Sequence, residues 1–201
     1  MESQKSNGGF ESRGEKEVMV ANQRRVGTCE TLVRILALAL TLAAAVLLGV
    51  DKQTKVVPVK VVDSLPALNV PVTAKWHYLS AFVYFVVANA IACAYAAVSL
   101  VLSLADRGGK RSSSSSALGL MLTVLDMIMV ALLFSGVGAA GAIGLMGYVG
   151  NTRVNWHKVC DSFGKFCDQG AVAIFLSLLG SIAFLLLAML SAMGLHKKIN
   201  K

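Results

Sequence analysis

Charged side chains are scarce in this chain. Asp, Glu, Lys and Arg make up 15% of its 201 residues, against 56% hydrophobic. A soluble domain carries nearer a quarter charged residues, so there is too little polar surface here to cover a water-soluble core. Catalytic signatures are missing too. There is no Walker loop, no HExxH and no cluster of His, Asp and Glu, so no catalytic residue, cofactor or metal site is expected. The three histidines, His77, His157 and His196, fall near the edges of apolar runs, where solvated or interfacial side chains belong. The formal charge of +8 raises the question of nucleic acid. No basic stripe is interleaved with aromatics, however, and nucleic acid is not expected as a partner. Lys and Arg beside membrane spans, in contact with anionic lipid, account for the charge more simply.

Four long apolar runs occupy what remains. They predict an all-α integral membrane protein, a bundle of four transmembrane helices spanning about 32–50, 79–104, 122–145 and 171–195. A barrel is disfavoured because its strands are short and alternate, whereas these runs are continuous and helix-long. The third run extends over 117–149 and overruns a bilayer core. Residues 1–31 are polar, mixed in charge and hold one aromatic, Phe10. They are read as a disordered cytoplasmic tail rather than a cleavable signal peptide, with 196–201 as a second short tail. The connection 51–78 holds all three prolines, Pro58, Pro66 and Pro71, which discourage helix. Within it the β-branched run 56–62 is read as a strand-like segment.

An even number of crossings puts both termini on one side. The two tails and the 106–116 connection carry eleven Lys and Arg, against seven in 51–78 and 150–169. That bias predicts cytoplasmic termini. Cys160 and Cys167 share the second outer connection, where oxidation is allowed, and a disulfide competes there with two free thiols or half of a metal site. Cys29, just before the first span, is a palmitoylation candidate; Cys93 is read as packing. Neither outer connection has an Asn-x-Ser/Thr site, so N-glycosylation is not expected there. The run 112–116 is read as a flexible linker or a phosphorylation site.

Two ionisable residues lie inside predicted spans: Arg34 in the first and Asp126 in the third. Each is a functional-site hypothesis because of its cost in hydrocarbon. If the third span begins near 122–125, both lie near the cytoplasmic boundary and form an intramembrane ion pair between helices one and three. Snorkelling of Arg34 and an ion or proton path are the competing readings. Gly136, Ala140 and Gly144 repeat at four-residue spacing, with Gly138 and Gly141 between, and form a helix-packing face. Tyr84, Asn89, Tyr95 and Ser99 are candidates for hydrogen bonds across helices. Trp76, Tyr78, Tyr148 and Trp156 sit where outer interfacial aromatics belong.

Taken together, Arg in span one, Asp in span three, the Cys-x6-Cys pair and the segments FVVANAIACAYAAVSL, LDMIMVALL and WHKVCDSFGKFC resemble the plant Casparian strip membrane protein family. Within it the chain is most similar to the CASP-like proteins of the first subgroup, and the wider MARVEL tetraspan group shares the Arg and Asp placement. The resemblance implies a plasma-membrane scaffold with cytoplasmic termini that forms homo-oligomers, and hetero-oligomers with related tetraspans. It further implies an organised membrane domain that recruits cell-wall-modifying enzymes. It carries the family's intramembrane charges onto Arg34 and Asp126 and its outer cysteines onto Cys160 and Cys167. The loop VVPVKVVDSLPALNVPVTAKW lacks the signature segment of the barrier-forming members, which points to a general membrane-domain role. The alternative is a subunit of a small channel or transporter, which would need polar residues lining a path.

Overall fold

The computed structural model describes residues 7–59, 68–108, 115–150 and 158–199. Five helices and one hairpin follow in the order α1 (Asn7–Gly49), β1 (Lys52–Val59), β2 (Leu68–Lys75), α2 (Ser80–Gly108), α3 (Ser115–Val149), α4 (Val159–Ser162) and α5 (Gly164–Ile199). A single 3-10 turn, Trp76–Tyr78, joins β2 to α2. Four helices contain a stretch long and apolar enough to cross a bilayer: Gly27–Gly49, Ser80–Ala105, Gly119–Val149 and Gly164–Gly194. The protein is thus an all-α membrane bundle, with one short hairpin at the end where α1 and α2 connect.

The bundle is a closed square. Its edges are α1–α2, α2–α3, α3–α5 and α5–α1, so α1 faces α3, and α2 faces α5, across the diagonals. Buried positions recur at three- and four-residue steps. They are Arg34, Ala37, Thr41, Ala44 and Leu48 on α1, and Asp126, Met129, Leu133, Gly136 and Ala140 on α3. This is the stripe of a helix with one face turned inward. Across the bundle alanine is the commonest buried apolar residue among those described, because van der Waals packing, not water exclusion, holds helices together in lipid, and small side chains let backbones approach. Large apolar side chains such as Leu36, Leu42, Val98, Val101, Phe175 and Leu186 point outward, where hydrocarbon solvates them.

Two apolar clusters fill the interior. One joins Ala37, Ala92, Ala96, Met129, Leu133, Ala183, Phe184 and Leu187. The other, toward the hairpin, joins Ala44, Leu48, Phe82, Phe85, Ala140, Phe163, Phe166 and Ala173. Between these levels lie the buried polar residues Thr41, Asn89, Ser177 and Ser181.

The ends differ from expectation in three ways. The first helix starts at Asn7 instead of near residue 32, so the disordered tail expected for 1–31 is helical from residue 7. Its 7–31 segment has no proline and is rich in Glu, Lys, Arg and Gln, all good helix formers, and it continues an already nucleated span. The third stretch is one unbroken helix over its full 35 residues, about 50 Å long, well beyond a bilayer's hydrocarbon core. Gly150 closes it at φ 73, its N–H bonded to the Met146 carbonyl at 3.0 Å, which is the left-handed cap glycine favours. At the other extreme of the chain, α5 continues to Ile199, through most of the expected short tail.

The connection after α1 is an antiparallel ribbon running from Lys52 opposite Lys75 to Val59 opposite Leu68. The strand expected over 56–62 therefore begins earlier, at Lys52, and pairs with a second strand that the β-branched run did not reveal; residues 60–67 lie outside the described residues. Pro58 and Pro71 are tolerated because each strand of a two-stranded ribbon keeps one free edge. The Thr54 and Thr73 hydroxyls meet across it at 3.1 Å.

Candidate functional site

The site is built where the inward stripes of α1 and α3 carry charge. On α1, one turn separates Glu30 from Arg34, so the two side chains share a face. Arg34 Nη2 donates to Glu30 Oε1 at 3.2 Å and to Asp126 Oδ2 at 3.4 Å. The second contact crosses the bundle diagonal. Both Arg34 and Asp126 side chains are 0% exposed, whereas Glu30 is 30% exposed. From α2, the Tyr95 hydroxyl lies 2.7 Å from Asp126 Oδ1 and 3.1 Å from the Leu122 carbonyl. A phenol has one proton, and the nearer, charged oxygen is the stronger acceptor. On α5, Phe184 packs against the Tyr95 ring, with centroids 6.1 Å apart. All four long helices therefore meet at this level.

The arrangement can hold charge but presents no reactive constellation. Arg34 uses a single nitrogen for both carboxylates, leaving Nε and Nη1 without a partner among the described residues. In hydrocarbon, separating a buried pair leaves an uncompensated ion, so the tie specifies which faces of α1 and α3 point inward. Among the described residues no three His, Cys, Asp or Glu side chains are grouped to hold a metal ion.

The small residues expected to form a packing face on α3 look into the bundle. A Cβ added at Gly136 would lie 3.6 Å from the Ala88 Cβ of α2, and one at Gly144 would lie 3.9 Å from Ile174 of α5. Ala140 is fully buried in the cluster nearer the hairpin. Gly138 and Gly141 face away, with nothing within 4 Å. The closest approach belongs to a residue the sequence reading missed. A Cβ on Gly180 of α5 would stand 3.2 Å from Thr41 Cγ2 of α1. Its signal was available in the small residues Ala173, Ser177 and Ser181 around it.

Of the four polar candidates on α2, two reach α3. Tyr95 binds Asp126, and Tyr84 donates to Ser135 Oγ at 3.3 Å. Asn89 and Ser99 instead bond carbonyls of their own helix, Phe85 and Ala96. Glu30 was assigned to a tail and so escaped notice; its four-residue spacing from Arg34 was the available clue.

At the opposite end, Cys160 and Cys167 form a disulfide, with Cα atoms 5.7 Å apart. The bridge ties α4 to the first turn of α5, and the loop between turns Phe163 and Phe166 into the core. Phe166 packs on Phe82 of α2 at 5.9 Å between ring centroids. Its N–H donates to Gln53 Oε1 of β1 at 3.0 Å. Gln53 thus satisfies one of the free N–H groups at the start of α5 and fastens the hairpin to it. Nearby, Asp51 is 2% exposed, and burial pushes its carboxyl up to about 6. Cys29 is an exposed free thiol and Cys93 a half-buried one. Tyr78 and Tyr148 are exposed, while Trp156 and His157 lie outside the described residues.

Comparison with known proteins matches residues 23–183 to the Casparian strip membrane protein domain. The chain is 58% identical over 198 residues to CASP-like protein 1E2 of Vitis vinifera, covering 98% of each chain. It is 59% identical over 184 residues to CASP-like protein 1E1 of Populus trichocarpa, covering 92% of this chain and 91% of that one. With CASP-like protein 1E1 of Glycine max the identity is 57% over 191 residues, covering 94% and 98%. No solved structure matches the chain.

Proposed function

The chain belongs to the Casparian strip membrane protein family, and from that premise we propose that it is a scaffold of the plasma membrane. On this reading it lies with both termini in the cytoplasm and associates with itself and with related tetraspans. It organises a membrane domain, in contact with membrane lipids, to which cell-wall-modifying enzymes are recruited.

One observation carries the scaffold reading over a channel or transporter subunit. The charges of Arg34 and Asp126 are spent on each other, on Glu30 and on Tyr95, and two apolar clusters occupy the interior on either side of the middle polar level. A conducting path would require polar groups continuous along the axis, and the two apolar clusters interrupt the polar levels. A core packed with apolar side chains at two levels suits a bundle that acts by lateral association in the bilayer plane instead.

Photobleaching of a tagged copy at native expression tests the proposal. A scaffold shows little fluorescence recovery and co-purifies with related tetraspans and wall-modifying enzymes. Rapid recovery with no such co-purification contradicts it. Ion conduction by purified protein in liposomes, abolished by Asp126→Asn, would replace it with the channel reading.

A further inference from the structure

The end of the bundle that carries the hairpin holds a titratable group that the ion pair does not involve. Asp51 follows the last turn of α1, its N–H bonded to the Leu48 carbonyl at 3.2 Å, and immediately precedes β1. Residues on both sides of it are fixed to α5. Leu48 Cδ1 lies 3.9 Å from where a Cβ on Gly170 would stand, and Gln53 accepts the Phe166 N–H. Asp51, 2% exposed, therefore sits where α1, the hairpin and α5 converge, and its Oδ2 is buried without a hydrogen-bond partner among the described residues.

We propose that Asp51 is a proton-sensitive latch: protonated, it lets the hairpin stay docked on the start of α5, and ionised, it loosens that docking.

A carboxylate enclosed without a donor is costly, whereas the neutral acid is tolerated far better. Two of the N–H groups at the start of α5 are already engaged, Phe166 N–H by Gln53 and Cys167 N–H by the Phe163 carbonyl. Nor does a cation compensate. Among the described charged groups on the surrounding elements, Lys52, Lys75, His77, Lys158, Asp161, Lys165 and Asp168, none forms a salt bridge with Asp51. Burial accordingly raises its carboxyl from the usual 3.8 to about 6. The sign follows from proton linkage. With the docked form binding the proton more tightly than the open form, docking is strongest below about pH 4, weakens as pH rises toward 6, and is level above that.

The test is amide exchange at Phe166, read by NMR on the full chain in lipid nanodiscs with the Cys160–Cys167 bridge intact. Rates are divided by the intrinsic exchange rate at each pH. The protection of Phe166 is expected to fall on the order of a hundredfold between pH 4 and 7, from a shift of about two pH units. Leu133, inside the cluster near the ion pair, should show no such fall. In Asp51→Asn the Phe166 protection should be flat with pH, and Asp51→Ser serves if the Asn variant misfolds. A wild-type profile flat in pH overturns the latch. So does an equal fall in the Asp51 variants, or a parallel loss at Leu133 that marks global unfolding.

Discussion

Tyr95 donates a 2.7 Å hydrogen bond to the Asp126 oxygen that Arg34 leaves free. One carboxylate of α3 thereby takes a cation from α1 on one oxygen and a neutral donor from α2 on the other. This division is what fixes three helices in rotation as well as in height, because a slip of either partner would leave a charge unpaired in hydrocarbon.

Breaking that arrangement from one side should be severe. Asp126→Asn or Arg34→Met is expected to destabilise the protein by about 3–5 kcal/mol, since each leaves a buried charged partner behind. The double replacement Arg34→Met with Asp126→Leu should recover most of the loss, because it removes both ions together. Thermal unfolding in detergent, followed by circular dichroism, measures all three. A charge swap should recover less, because an acid at position 34 would face Glu30; no recovery at all would argue against direct pairing.

Tyr95→Phe removes only a hydroxyl, and its cost should be about 1.5–3 kcal/mol, the range for hydrogen bonds to charged groups. Most of that cost should disappear in an Asp126→Leu background. The coupling read from the double-mutant cycle separates the hydrogen bond from the packing of the ring on Phe184.

Glycines on α3 and α5 divide by what stands opposite them. Gly180→Ala should destabilise by roughly 1–3 kcal/mol, as the new methyl would press on Thr41 and part α1 from α5. Gly138→Ala meets nothing within 4 Å and should be neutral or slightly stabilising through helix propensity. Melting temperatures of the two variants, compared side by side, check the pair.

These residues also mark how far the sequence could be read. The four helices were legible because a bilayer demands long uninterrupted apolar runs, and no soluble fold produces them at this composition. Arg34 and Asp126 were legible for the same reason, as lone charges within such runs. Glu30 was not, because a residue outside the apolar window looks like tail until the helix is known to run through it. Among Tyr84, Asn89, Tyr95 and Ser99, nothing local said which would cross to another helix. That depends on helix rotation, which the diagonal ion pair sets from outside α2. Gly180 was passed over because small residues are common in spans, and only the partner's side chain, Thr41, makes one of them tight. The second strand of the hairpin was hidden because its pairing register is a property of two segments and the turn between them, not of either one.

The disulfide offers the last expectation. Cys160 and Cys167 close a small loop whose two phenylalanines sit under the hairpin end of the bundle. Replacing both cysteines by serine, or reducing them, should cost about 2–3 kcal/mol in the loop-entropy description. The loss should be local: Phe163 and Phe166 come away from Phe82, and Gln53 loses the ordered N–H it binds, while the cluster around Ala37 and Phe184 stays packed. Far-UV circular dichroism should therefore change little even as the melting temperature falls. Peptide mapping without reductant, on protein taken directly from cells, should recover the two cysteines as one linked fragment. Since such a bridge persists only in an oxidising compartment, that fragment would also put α4 and the hairpin on the outer side. Two free thiols would instead count against both the bridge and the cytoplasmic placement of the termini.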